Sequence, residues 1–271
     1  MSWVDKELLA KRFDRRADSY DAATPVQPSM GHDLLQRALD RIHAASLTRI
    51  LELGCGTGRL TRKLVDTFPR TRITAVDISA RMAAMTAERC PGVETLIADA
   101  EDFIQHASPG FDLVISNATL QWFAEPDSSV KACLRLLSPG GHLALSTFGD
   151  QTFRELNEAF RLAYREHGLP DARHASTLPS VNYWRTRFPG LDIHHAPRSR
   201  TFPDVPSFLR SLQQAGVTHA ATRKPELSRK VLQSMMRHYD PPTATYDIIY
   251  LHASGGDDHI VHRPGSMPLP E

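Results

Sequence analysis

Residues 50–58 read ILELGCGTG, an apolar run closed by the glycine-rich turn Gly54-Cys55-Gly56-Thr57-Gly58. A run of this length suits a buried strand, and glycine lets the following turn adopt unusual φ and ψ and approach a ligand closely. A strand opening through such a turn into a helix places the turn at the carboxyl end of a parallel sheet, where these sheets bind ligands. Nicotinamide enzymes carry a related loop with the spacing Gly-x-Gly-x-x-Gly. Counted from Gly54, the last of those positions is Arg59, and a bulky arginine is expected to crowd both the helix against the strand and a pyrophosphate. The acidic Glu52 would repel a diphosphate as well. It suits a ligand that carries a cationic amine.

Outward from this turn, strand and helix patterns alternate. Strands are expected at 49–53, 72–77, 93–98, 111–116 and 142–147, with helices at 58–68, 80–89 and 128–137. That rhythm implies an α/β fold with a mostly parallel sheet and helices on both faces. Upstream, residues 4–22 and 29–45 read as helices separated by breaks at Thr24-Pro25 and Pro28. Downstream the rhythm loosens. A helix over 152–167 is followed by a polar connector with Gly168, Pro170 and Pro179, a short strand at 192–196, helical patterns over 206–216 and 225–239, and a last apolar strand at 246–253. The expectation is one domain over residues 1–254, with N-terminal helices to 45, a core over 46–150, and helical lid insertions at about 151–190 and 200–243. Residues 255–271, rich in glycine, proline and charge, read as a flexible tail.

With 41% hydrophobic and 23% charged residues, the chain has material for a core and lies outside the disordered class. Its 32 basic and 31 acidic residues leave a net charge of +1, so the bulk charge gives no reason to expect a nucleic-acid partner. No apolar run approaches a bilayer span, and the start MSWVDKELLAKRFDRR is too charged for a signal peptide, so no membrane partner is expected. Cys55, Cys90 and Cys133 have no metal-ligand spacing, and their odd number points to reduced thiols in a cytoplasm. The histidines are scattered, and His194 and His195, being adjacent, would face opposite sides of a strand. No metal site is expected.

Acidic and polar residues recur at successive strand ends. Asp77, followed by Ile78, ends the second strand, where a carboxylate can accept two ribose hydroxyls. Asp99-Ala100-Glu101 ends the third: an aspartate there can accept from an adenine amine while the Ala100 backbone reads the ring. Ser116-Asn117 ends the fourth, and Pro139-Gly140-Gly141 precedes the fifth. Each residue alone equally suits turn chemistry or helix capping. Together with the loop, their order resembles that of the Rossmann-like class I methyltransferases. The resemblance implies a seven-stranded sheet with its last strand antiparallel. It also implies S-adenosylmethionine as methyl donor, held by Glu52, Gly54, Gly56, Gly58, Asp77, Ile78, Asp99, Ala100, Asn117 and Gln121.

Three further segments narrow the resemblance: 13–21 (FDRRADSYD) with Val26-Gln27, 116–123 (SNATLQWF), and 208–219 (FLRSLQQAGVTH) with Thr245-Tyr246 beyond. They are similar to the malonyl-[acyl-carrier protein] O-methyltransferases of biotin synthesis, the BioC family, over most of the chain to about Leu251. Departures fall in the connector around 168–190 and in the tail. This likeness implies methylation of the free carboxyl of a malonyl thioester on an acyl-carrier protein. It casts Arg210, or else Arg200, as the cation holding that carboxylate. Tyr20 and Trp122 would close over the sulfonium, and His219 would either bond the substrate or cap a helix. Because the carrier is expected to be acidic, a basic surface near the mouth is expected, for which Arg154, Arg161, Arg165, Arg185, Arg187, Arg198, Arg223, Lys224, Arg229 and Lys230 offer material. Other readings are a methyltransferase for another small acid or a quinone, a non-catalytic domain that binds the donor or a partner, and, disfavoured by Arg59, a nicotinamide oxidoreductase.

Overall fold

Neighbouring residues of the central strands supply two different cores. Ile50, Leu113, Ile115, Ala144, Ile248 and Tyr250 belong to one buried cluster, while Leu51, Val114, Leu143, Leu145, Ile249 and Leu251 belong to the other. A strand turns successive side chains to opposite faces, so continuous apolar runs such as these are what a sheet covered on both sides requires. The structure, a computed structural model, describes residues 5–42, 47–171, 178–214 and 228–255.

The sheet contains β1 (Arg49–Leu53), β2 (Arg72–Asp77), β3 (Glu94–Ile97), β4 (Phe111–Asn117), β5 (Leu137–Phe148), β6 (Asp192–His195) and β9 (Ile248–Ser254). Their order is β3-β2-β1-β4-β5-β9-β6, parallel throughout except for β9, which runs antiparallel to both neighbours. This is the expected sheet. Chain direction brings the carboxyl ends of β1, β2, β3 and β4 to one edge, with the glycine turn at its middle.

One face is covered by α2 (Gln27–Leu39), α3 (Arg59–Thr67), α7 (Arg154–Glu166), α9 (Val205–Gln214) and α10 (Arg229–His238). The other carries α5 (Ala100–His106), α6 (Pro126–Arg135) and α8 (Val181–Arg187). The helix α4 (Ala80–Arg89) follows β2, and α1 (Lys6–Ala23) lies across the carboxyl edge. Local signals account for most helix starts. Asp5, Ser79, Asp99, Ser180 and Ser228 each accept a backbone N–H from the first turn of the helix that follows.

Several expectations are corrected. Pro28 is no break, because it lies in the first turn of α2, where its missing N–H costs nothing, and that helix ends at Leu39. The connector at 168–190 contains α8, whose Trp184 and Phe188 are fully buried in the second core. It is a core helix rather than part of a lid. The last strand is split at Asp247: β8 (Thr243–Tyr246) pairs with β7 (Arg198–Thr201) in a separate ribbon, and β9 then joins the sheet. Neither α5 nor β7 is predicted. The first is too short to show an amphipathic pattern, and the RSRT of β7 is polar and largely exposed. Pro139, Gly140 and Gly141 lie inside β5, near a register shift against β4, where a strand tolerates proline. The tail from residue 256 and His219 fall outside the described residues.

Candidate active site

The turn after β1 holds three glycines with positive φ: 70° at Gly54, 56° at Gly56 and 81° at Gly58. A Cβ on Gly54 would lie 2.1 Å from Thr119 Oγ1, and one on Gly58 would lie 3.0 Å from the Thr86 backbone. Around Gly56 there is open space, so this glycine leaves room that no protein atom fills. Gly58 lines neither cleft described below and serves the packing of α3 on α4.

Two clefts share the turn as a wall. The first is lined by Gly54, Gly56, Asp77, Ile78, Asp99, Ala100 and Asn117, roofed by Leu9, Phe13 and Tyr20 of α1, and flanked by Trp122 and Phe123. The second is lined by Glu52, Cys55 and Thr57, by Arg59 and Lys63 of α3, and by residues of the α1–α2 corner. Tyr20, Gly54, Gly56 and Asn117 border both. Seven of the predicted donor residues therefore converge on one cleft, and Glu52 opens on the other.

Asp77 is 7% exposed, and its two oxygens accept the backbone N–H groups of Gly56 at 2.8 Å and Ser79 at 2.9 Å. Burial outweighs these bonds and pushes its pKa up to about 6. A carboxylate has about four acceptor sites, so ribose hydroxyls can still be received. Asp99 caps α5 by accepting from Glu101 N at 3.0 Å and is paired with Lys6 Nζ at 3.2 Å. It is thus both a cap and a wall of the cleft. Glu52 is 1% exposed, and its Oε2 has no hydrogen-bond partner. Burial, reinforced by the Asp77 charge, pushes its pKa up to about 8. A buried carboxyl with one unpartnered oxygen on a cleft wall fits the cationic amine of an amino-acid ligand, which both neutralises and hydrogen-bonds it.

The first helix carries more of the site than its motif suggests. Phe13 meets Tyr20 edge-on at 6.0 Å and Trp122 at 5.7 Å, forming an aromatic roof. Lys6 bridges Asp99 and Glu101 and lies 5.2 Å from the centre of the Phe123 ring. Glu101 in turn accepts from the backbone N–H of Ala124 and Glu125, at 2.8 and 2.6 Å, so the loop after Trp122 is tied to α5. Asp14 accepts from Ser79 Oγ and Arg81 N, Asp18 from Arg81, and Asp21 from Thr57 Oγ1, with Arg59 and Arg89 beside it. Three aspartates thus fasten α1 to the turns that begin α3 and α4. Sequence reasoning assigned no role to Lys6, Leu9 or Phe13. The signal was there in the spacing of Leu9, Phe13, Ala17 and Tyr20, one apolar helix face.

Besides Gly58, four expectations do not place as predicted. Arg59 does not crowd the helix against the strand; it points outward into an ion pair with Asp21 at 2.9 Å. Arg210 is exposed on α9, bonds Ser207 Oγ at 2.8 Å and lines neither cleft, and Arg200 stacks on Phe202 in the β7–β8 ribbon. Gln121 donates to Ala118 O at 2.6 Å and also lines neither cleft. The cations on the cleft walls are Lys6, Arg59 and Lys63, and of these only Lys63 lacks an acidic partner among the described residues.

Fold and site together define an S-adenosylmethionine-dependent methyltransferase of class I. Residues 51–145 match the family model described as "Methyltransferase domain". The fold is similar to that of the plantazolicin methyltransferase BpumL solved with SAH and a pentazolic desmethylPZN analog, with a TM-score of 0.52 and 15% identity over 92% of this chain and 95% of that one. The whole chain narrows the class. It is 33% identical over 258 residues to the malonyl-[acyl-carrier protein] O-methyltransferase of Anoxybacillus flavithermus, covering 92% of this chain and 97% of that protein. To that of Halalkalibacterium halodurans it is 30% identical over 266 residues, covering 92% and 98%. The chain belongs to the malonyl-[acyl-carrier protein] O-methyltransferase family.

Proposed function

We propose that this protein transfers the methyl group of S-adenosylmethionine to the free carboxylate of malonyl-acyl-carrier protein, giving the methyl ester. The observation that carries the reading is the extent of the likeness. It covers 92% of this chain, well beyond the methyltransferase domain over residues 51–145. The proposed setting is a cytoplasmic enzyme early in biotin synthesis.

The chemistry asks little of the protein beyond placement. The donor, when bound, supplies a methyl group on a sulfonium. A carboxylate is already ionised at neutral pH, so no general base is needed, and no histidine lines either cleft among the described residues. Glu52 takes the amine end of the donor, Asp77 the ribose, and Asp99 with Ala100 the adenine. Tyr20 borders both clefts, where burial and the Asp77 and Asp21 carboxylates raise its pKa and keep the phenol neutral. Its ring, with those of Phe13 and Trp122, presents aromatic surface to a cation and excludes water from the acceptor carboxylate, which sharpens its nucleophilicity. Rate enhancement is then mainly positioning and desolvation.

The test is methyl transfer from labelled donor to malonyl-acyl-carrier protein, malonyl-CoA and free malonate, with the product identified as a base-labile ester. Transfer to the carrier-bound thioester is expected. Absence of transfer to every malonyl thioester would overturn the assignment.

A further inference from the structure

Helical periodicity divides α1 into three faces. The inner one, with Leu9, Phe13 and Tyr20, roofs the cleft. One flank carries Asp14, Asp18 and Asp21, all consumed by contacts to the α3 and α4 turns. The opposite flank presents Leu8, Arg12, Arg15, Arg16 and Ser19, which line a shallow surface groove. Arg15 and Arg16 make no ion pair with any described residue, and Leu8 is 37% exposed between them and solvent. The helix therefore sorts its charge: the acids are engaged by the α3 and α4 turns, while Arg15 and Arg16 stay available outward.

Four other surface arginines are not available in this way. Arg154, Arg161, Arg187 and Arg198 are each paired with an acidic residue of the chain itself, namely Glu155, Glu158, Asp127 and Asp33. With a net charge of +1, the molecule as a whole exerts little pull on an acidic partner, so recognition of one has to come from a local patch.

Resting on the activity proposed above, we infer that the Arg12–Arg15–Arg16 flank of α1 is the docking surface for an acidic carrier protein bearing the thioester. Leu8 supplies an apolar contact within the charged rim. A partner seated there lies about one helix diameter, roughly 10–12 Å, from the cleft that the same helix roofs. A flexible pantetheine arm spans that distance, so the carrier need not enter the site.

The experiment compares the wild-type protein with the charge-reversed variant R15E/R16E on two acceptors: malonyl-acyl-carrier protein and the short malonyl-N-acetylcysteamine thioester, which has the same carboxylate but no acidic carrier surface. The variant is expected to raise KM for the carrier-bound substrate about tenfold or more while leaving kcat, the short thioester and donor affinity within about twofold. Added salt should raise the wild-type KM for the carrier and leave that of the variant nearly flat. The milder R15Q/R16Q should give about a threefold rise, which keeps the test open if charge reversal impairs folding. As a control, R229E/K230E on α10 should leave the carrier KM unchanged. An unchanged carrier KM in both α1 variants would overturn the surface, as would equal losses on both acceptors, or binding of DNA or anionic vesicles by this flank with the carrier KM unmoved. If wild-type protein methylates neither thioester, it is the activity that fails, which the same assay distinguishes.

Discussion

Glu52 is a buried acid with a pKa near 8 and an oxygen without a partner, and its consequence for binding has a definite sign. A cation beside it favours the carboxylate, so donor binding lowers the pKa from its raised value. Below pH 8 the free protein carries the proton and the complex does not. Affinity for the donor should therefore climb as pH rises from 6 to 8, by up to about tenfold per pH unit, and level off where Glu52 is already ionised. Calorimetric titrations at pH 7 in two buffers of different ionisation enthalpy should register proton release, and affinity flat over this range would contradict the role. Glu52→Gln should weaken the donor at least tenfold and abolish most of the pH dependence. Gly54 offers an independent test. Gly54→Ala strains a φ of 70° and drives a Cβ into Thr119, so donor binding measured by calorimetry should be lost. At the exposed end of the scale, Arg210→Ala should change kcat/KM by less than about twofold, because its guanidinium meets Ser207 and solvent rather than the cleft.

At the scale of elements, α1 behaves as a fastened roof. Its inner rings shape the site, and Asp14 and Asp21 hold it to the turns that begin α4 and α3. Releasing the fastenings should act on binding before it acts on the sheet. The double variant Asp14→Ala/Asp21→Ala is expected to raise the donor Kd about five- to tenfold and to speed proteolytic cleavage within α1, with the thermal unfolding of the core little changed. An unaltered cleavage rate would show the aspartates to be incidental. The helix α8 shows the reverse character. Trp184 and Phe188 lie one turn apart and stack with ring centres 6.0 Å apart inside the second core. Trp184→Ala should cost about 3–5 kcal/mol of stability, read by denaturant unfolding, and leave the donor Kd of the folded fraction unchanged.

For the whole molecule, the division between what was readable in the chain and what was not follows the range of the interactions. The order of strands and helices through the core, the glycine turn, and the acids at the ends of β2 and β3 are local patterns: continuous apolar runs, caps, and turn residues at fixed offsets. The chain by itself therefore determined the sheet, the donor class and the residues Gly54, Asp77, Asp99 and Asn117 on the cleft wall. Tertiary structure alone decided which charges are free. Arg59, read as an obstruction, is spent on Asp21, and Arg210, read as a carboxylate clamp, faces solvent, whereas Arg15 and Arg16 remain available on the surface. It also decided that a polar-looking connector supplies a core helix, and that an apolar C-terminal run divides at Asp247 between a ribbon and the sheet. The physical reason is common to all of these. A side chain's partner is set by residues tens to hundreds of positions away, as Asp14 with Ser79 or Arg198 with Asp33, and no periodicity along the chain encodes that distance.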